Sequence, residues 1–153
     1  MNRKSKTQAR DISYFRLALL DFLRESHPEL LNDHRFIIAR SDAATEAYEQ
    51  SIRIGNTPIE AAEQASDVLF KGLLFSKHDT ILNILWNEFA DEIPEEEAKP
   101  LAMELLPENE SIFAQYPLTD SFAYEPEYEL LYTELTGAIA LMIETHNLLI
   151  RNS

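Results

Sequence analysis

The stretch Gly55-Asn56-Thr57-Pro58-Ile59-Glu60 decides how this chain is read. Gly55 suits the position that stops a helix, because glycine takes left-handed backbone without a Cβ clash. Thr57 can cap the next helix, Pro58 carries the φ of a first helical turn, and Glu60 completes a capping box. One helix therefore ends at Gly55 and another opens at Pro58, with no strand between them. The second of these, Ala61 to Leu74, is expected to bury Ala62, Ala65, Leu69 and Phe70.

Upstream, Phe36, Ile37, Ala43, Ala44, Ala47, Tyr48 and Ile52 hold helical spacing from Asp33 to Ile54. The small alanines suggest that another helix approaches closely, and Ser41-Asp42 leaves open whether this segment is one helix or two. Residues 12–25 set Ile12, Phe15, Leu19, Phe22 and Leu23 on one helical face opposite Arg16, Asp21 and Arg24. Asp11 can cap that helix. Pro28 ends it and starts a short turn through Leu31. The turn–helix pattern at Thr57 looks like the start of a tetratricopeptide unit, but no second copy lies about 34 residues away, which argues against a repeat array.

Downstream, Ser76 can cap a helix on which Ile81, Leu82, Ile84, Leu85, Trp86 and Phe89 are apolar nearly all round, so Trp86 is expected in the core. Pro94, Pro100 and Pro107 are expected to break the next stretch into short pieces with one modest apolar face, Leu101, Met103, Leu105 and Leu106. Residues 107–126 read as loop with a helical turn near Ile112 to Tyr116. Pro126 starts the last and longest helix, which carries Leu130, Leu131, Leu135, Ala138, Ile139, Leu141, Met142, Leu148 and Leu149. Gly137 within it costs about 1 kcal/mol relative to alanine, a cost more easily borne where a neighbouring helix packs close. No segment has the alternating pattern of a strand. The expectation is an all-α, single-domain bundle of about five to seven helices over residues 11–153, preceded by a flexible basic arm at residues 1–10.

The charge is one-sided. Residues 1–77 balance 11 basic against 11 acidic side chains, whereas residues 78–153 hold only Lys99 and Arg151 against 16 carboxylates, the whole of the formal charge of −14. Such a surface attracts cationic partners and repels acidic ones over about a Debye length, 8–10 Å. That opposes direct nucleic-acid binding, even though Arg3, Lys4, Lys6 and Arg10 could reach a phosphate backbone. The chain has no cysteine, which excludes disulfides, thiolate metal sites and cysteine nucleophiles. Its N-terminal basic run lacks the apolar core of a signal peptide, and Leu135 to Ile143 is too short to span a bilayer, so a cytoplasmic setting away from membranes is expected.

No residue pattern suggests catalysis, a metal or a cofactor. His27, His34, His78 and His146 lie in separate elements, and no Glu-x-x-His pair exists. Three scattered glycines make no phosphate loop, and no serine sits in an elbow motif. Glu88, Asp91, Glu92 and Glu95 would share a helical face, but Pro94 interrupts it and the plain reading is solvated surface. Phe113 to Tyr132 stands out, with Phe113, Tyr116, Phe122, Tyr124, Tyr128 and Tyr132 interleaved with Asp120, Glu125, Glu127 and Glu129 and no basic residue. Aromatic edges beside carboxylates suit an Arg-rich segment, through cation–π contacts and charge-assisted hydrogen bonds. The competing reading is that the rings anchor a long loop onto the bundle.

The residues Ser13-Tyr14-Phe15, His27-Pro28-Glu29-Leu30, Ala47-Tyr48-Glu49, Gly55 with Pro58 and Glu60-Ala61, and Val68-Leu69-Phe70-Lys71-Gly72-Leu73 carry a resemblance. Together they resemble an uncharacterised all-helical bacterial family, a domain of unknown function often encoded on mobile elements of anaerobes. The resemblance implies an all-helical cytoplasmic fold and supplies no catalytic residues. The expected function is a non-enzymatic binding or adaptor domain whose acidic, aromatic half engages a basic protein segment, possible sites being Asp120, Tyr124, Glu125, Glu127, Tyr128 and Glu129. The alternative is a small-molecule-binding or enzymatic bundle with a pocket lined by Trp86, Tyr128 and Tyr132, and a third, weaker reading is a DNA-contacting accessory protein that uses its N-terminal arm.

Overall fold

A computed structural model describes residues 3–151, with side chains described over residues 12–146. Among the described residues the chain is all α, without a strand. It forms two compact units, Met1–Leu74 and Phe75–Ser153. The side chains of the basic arm (Arg3, Lys4, Lys6 and Arg10) and those of Leu148 and Leu149 lie outside the described residues.

In the first unit, helix α1 (Arg3–Ser26) buries Phe15, Leu19 and Leu23, one side chain per turn. A 3-10 turn over Pro28–Leu30 follows. His27 is buried beside it, with Nε2 2.7 Å from the Leu73 carbonyl. A carbonyl only accepts, so Nε2 carries the proton and donates. Helix α2 (His34–Arg53) is continuous. Asp33 caps it by accepting the Phe36 N–H at 3.2 Å. Ser41 does not divide it, because its hydroxyl donates back to the Ile37 carbonyl at 2.7 Å and so is satisfied while buried.

At the end of α2 the Gly55 N–H bonds the Ile52 carbonyl and the Asn56 N–H bonds the Ser51 carbonyl. This is a Schellman stop, and it requires the left-handed Gly55, with φ +98°. Helix α3 (Pro58–Leu69) opens as expected, with the Glu60 N–H donating to Thr57 Oγ1 at 3.2 Å. Its inward residues are Ala61, Ala65 and Leu69; Ala62 faces solvent. The buried alanines 44, 61 and 65 let α2 and α3 pack against each other along their length. Arg40 reaches from α2 to the C-terminal end of α3, donating to the Val68, Leu69 and Lys71 carbonyls and lying over the Phe36 ring. A cation there offsets the negative end of the helix dipole.

In the second unit, helix α4 (Lys77–Glu88) is capped by Ser76, whose Oγ accepts the Asp79 N–H at 2.9 Å. It buries His78, Thr80, Ile81, Leu82, Ile84 and Leu85. Trp86 is not in the core: it is 41% exposed. It borders the solvent face marked by Asn83 and Asn87, both exposed, and a residue three after Asn83 shares its side of a helix.

The prolines do not fragment the next stretch. Pro94 caps one helix, α5 (Glu95–Glu108), and Pro100 and Pro107 sit within it. Each removes a hydrogen bond to a carbonyl four residues back, on Glu96 and Met103, and all four residues are exposed, so water can satisfy those carbonyls. The stripe Ala98, Ala102, Leu105 and Leu106 is buried and holds the helix down, while Met103 is exposed. A single turn, α6 (Glu110–Phe113), and a 3-10 turn at Phe122–Tyr124 lead to the long helix α7 (Glu127–Arg151). Leu131, Leu135 and Ile139 form its buried row. Gly137 marks no close approach: a Cβ added there would meet nothing within 4 Å. No helix among the described residues is long and apolar enough to cross a membrane.

Candidate partner-binding surface

The segment that joins α5 to α7 is held by its aromatic rings. Asn109 closes α5 by donating from Nδ2 to the Leu105 carbonyl at 2.7 Å, and it is fully buried in doing so. Phe113 and Phe122 are also buried. The Phe122 ring stands edge-on to Phe75 at 5.3 Å and meets Tyr116 and Tyr128 at 6.0 and 6.3 Å. Tyr128 packs in turn on Tyr132. Edge-to-face rings at these spacings add roughly 0.5–1.5 kcal/mol each to simple burial. The anchoring reading therefore accounts for five of the six aromatics between Phe113 and Tyr132.

Two of these tyrosines are tied into the acidic surroundings. Tyr116 donates from its hydroxyl to Glu134 at 2.9 Å and Tyr132 to Glu88 at 3.1 Å, with Asn87 donating to the Tyr132 oxygen at 3.4 Å. Desolvation raises the Tyr116 hydroxyl above its ordinary pKa, and the Glu134 carboxylate raises it further. Burial likewise raises Tyr128 and Tyr132, against smaller lowering contributions from Thr80 and Asn87 respectively. Tyr116 and Tyr132 use their protons as donors to these carboxylates.

Tyr124 is the exception among the aromatics. The 3-10 turn points Phe122 inward and leaves Tyr124, two residues on, 90% exposed. Glu125, Glu127 and Glu129 around it are exposed, the last two in the first turn of α7, where the helix dipole favours carboxylates. Asp120 is half-buried, and Tyr128 belongs to the ring cluster beneath. Of the six residues expected to form a site, Tyr124, Glu125, Glu127 and Glu129 are thus exposed, just before and within the first turn of α7, and two are partly withdrawn.

The remaining candidates separate. Tyr128 and Tyr132 face Thr80, Asn87 and Glu88, whereas Trp86 lines a recess with Glu95, Glu96 and Lys99, so the three rings expected to share a pocket do not. Glu88 ends α4 while Glu95 begins α5, so that set of carboxylates shares no helix. His27 and His78 are buried and His34 and His146 exposed. No group of three potential metal ligands gathers among the described residues. Sequence reading missed a groove between α5 and α7, walled by Leu101, Leu105, Ala138, Leu141 and Met142. Its one local signal was the apolar pair Leu101 and Leu105, one turn apart.

The architecture is that of an all-helical domain with a neutral first half and an acidic second half. The chain belongs to the family described as a domain of unknown function (DUF1896), whose model matches residues 7–148. It is similar to protein PG0816 from Porphyromonas gingivalis, known from a crystal structure. The two share 45% sequence identity over 92% of this chain and 96% of that one, with a TM-score of 0.88. No curated protein matches the chain.

Proposed function

We propose that this protein is a non-enzymatic binding or adaptor domain of the cytoplasm, whose acidic second half engages a basic protein segment. The contact is made by Asp120, Tyr124, Glu125, Glu127, Tyr128 and Glu129. One observation carries the reading: Tyr124 is 90% exposed amid three exposed carboxylates, in a stretch without a lysine or arginine from residue 100 to 150. An exposed tyrosine costs solvation without contributing to the core, and beside carboxylates it matches an arginine, which stacks on the ring and pairs with the acids. Asp120 supplies a further acceptor at the edge, and Tyr128 supports the surface from below. The −14 charge makes nucleic acid a poor partner.

The test is a titration with a synthetic Arg-rich peptide, with all four carboxylates replaced together (Asp120→Asn, Glu125→Gln, Glu127→Gln, Glu129→Gln). The quadruple variant should bind at least tenfold more weakly, with a shallower salt dependence, while its stability changes by less than about 1–2 kcal/mol. Unchanged affinity would defeat the reading.

A further inference from the structure

Helices α5 and α7 each pack against α4, and between them the second unit opens a groove of about 480 Å³. That is within the usual range of roughly 300–1,000 Å³ for a binding site. Leu101 and Leu105 form one wall, and Ala138, Leu141 and Met142 the other. The residues stand at i, i+4 on one helix and i, i+3, i+4 on its neighbour, so each apolar wall runs along its helix for just over one turn, about 6 Å. Leu141 stands at the lip, 66% exposed, although a leucine there does nothing for the core.

The rim is acidic. Glu104 and Glu108 line the mouth from α5, one turn apart and exposed, facing Thr145 and His146 of α7. No lysine or arginine lies between Lys99 and Arg151. An apolar trough with carboxylates along one side complements a helix that is apolar on one face and cationic beside it. A second copy of this chain would set acidic rim against acidic rim, and an anionic lipid surface would meet the same repulsion.

We propose that the α5–α7 groove seats the apolar face of a basic amphipathic helix from a partner protein, with Glu104 and Glu108 pairing its lysines or arginines. The proposal rests on the reading above that the partner is basic, and adds where the partner's apolar side goes. Leu141 and Met142 cover the inserted side chains, and the rim carboxylates set the partner's register.

Methionine methyl NMR tests this on the full chain, because Met142 lines the groove while Met103, on α5, does not. The probe is a synthetic Leu/Lys peptide of helical amphipathic pattern, with a scrambled peptide of equal composition as control. The patterned peptide should shift the Met142 methyl saturably and leave Met103 in place, and the scrambled one should bind at least fivefold more weakly. Leu141→Ser, at an exposed position, should weaken binding about tenfold while the Met103 signal reports an intact fold. Glu104→Gln with Glu108→Gln should weaken it severalfold and flatten its salt dependence.

The groove assignment falls if the peptide binds without moving Met142, if Leu141→Ser binds as tightly as the wild type, or if the Met142 shift follows protein concentration instead of peptide. The two readings separate cleanly. Loss of the peptide in the quadruple variant around Tyr124, with Leu141→Ser unaffected, would overturn the groove alone. Failure of every basic peptide to bind would overturn both.

Discussion

Trp86 shows how a single residue can invert an expectation. Its neighbours Ile84 and Leu85 are buried, but the ring falls just outside their arc, on the side of Asn83 and Asn87. Full burial would make Trp86→Ala a loss of about 3–5 kcal/mol through transfer and cavity terms. At 41% exposure the expected loss is smaller, about 1–2 kcal/mol, because much of the ring already lies in water and truncation leaves no enclosed void. Trp86 is the chain's single tryptophan, so urea unfolding and acrylamide quenching of its fluorescence both report on one site. An indole shielded from quencher, with a loss above 3 kcal/mol, would contradict the placement. The residues of the partner surface differ from it in that their exposure is dictated locally. Phe122 must turn inward, and Tyr124 is turned out as a result.

At the scale of elements, α5 holds two internal prolines, Pro100 and Pro107, on its solvent side. A proline in a helix interior costs up to about 3 kcal/mol relative to alanine. Pro100→Ala should therefore stabilise the protein, by about 1–3 kcal/mol, with a raised midpoint in urea. A destabilised variant would mean that Pro100 itself is needed to seat Ala98 and Ala102. Expecting α5 in fragments overrated that local cost, because the stripe from Ala98 to Leu106 is buried against residues of other helices that a local reading does not weigh. Caps were legible for the opposite reason. Thr57 and Ser76 each accept an N–H three residues on, so their chemistry is complete within one turn, whereas Asp11, expected to cap α1, lies inside a helix that begins at Arg3. In α3 only Ala62 was misplaced, Ala61 being buried in its stead, since the two are the same size and give no direction, while Ala65 and Leu69 are buried as expected. The acidic, aromatic surface could be read from composition. The groove could not, because its walls lie more than 30 residues apart in the chain and exist only once both helices rest on α4.

For the whole molecule, the acidity of the second unit and its hydrogen-bonded tyrosines set the response to pH. Tyr116, Tyr128 and Tyr132 all have hydroxyl pKa values raised above the ordinary 10.0, with burial the first cause in each. The folded protein therefore keeps these protons at pH values where the unfolded chain has lost them. Their contribution is complete below about pH 10 and is lost as pH rises through the raised values. Urea midpoints should hold steady up to about pH 9.5 and then fall, and the fall should be less steep in Tyr132→Phe. A midpoint that climbed above pH 10 would reverse the sign. The scarcity of cationic side chains in the second half has another effect, on how that half meets proteases. Trypsin cuts after lysine and arginine and stalls before proline, and Lys99 is followed by Pro100. From His78 to Arg151 the chain offers it no good bond, folded or unfolded. A tryptic digest thus reads mainly opening of the first unit, since the second offers it only Lys77 and Arg151, near its ends. A glutamate-directed protease finds sites along α5 and α7, and protection of those bonds by a partner would map the covered face bond by bond.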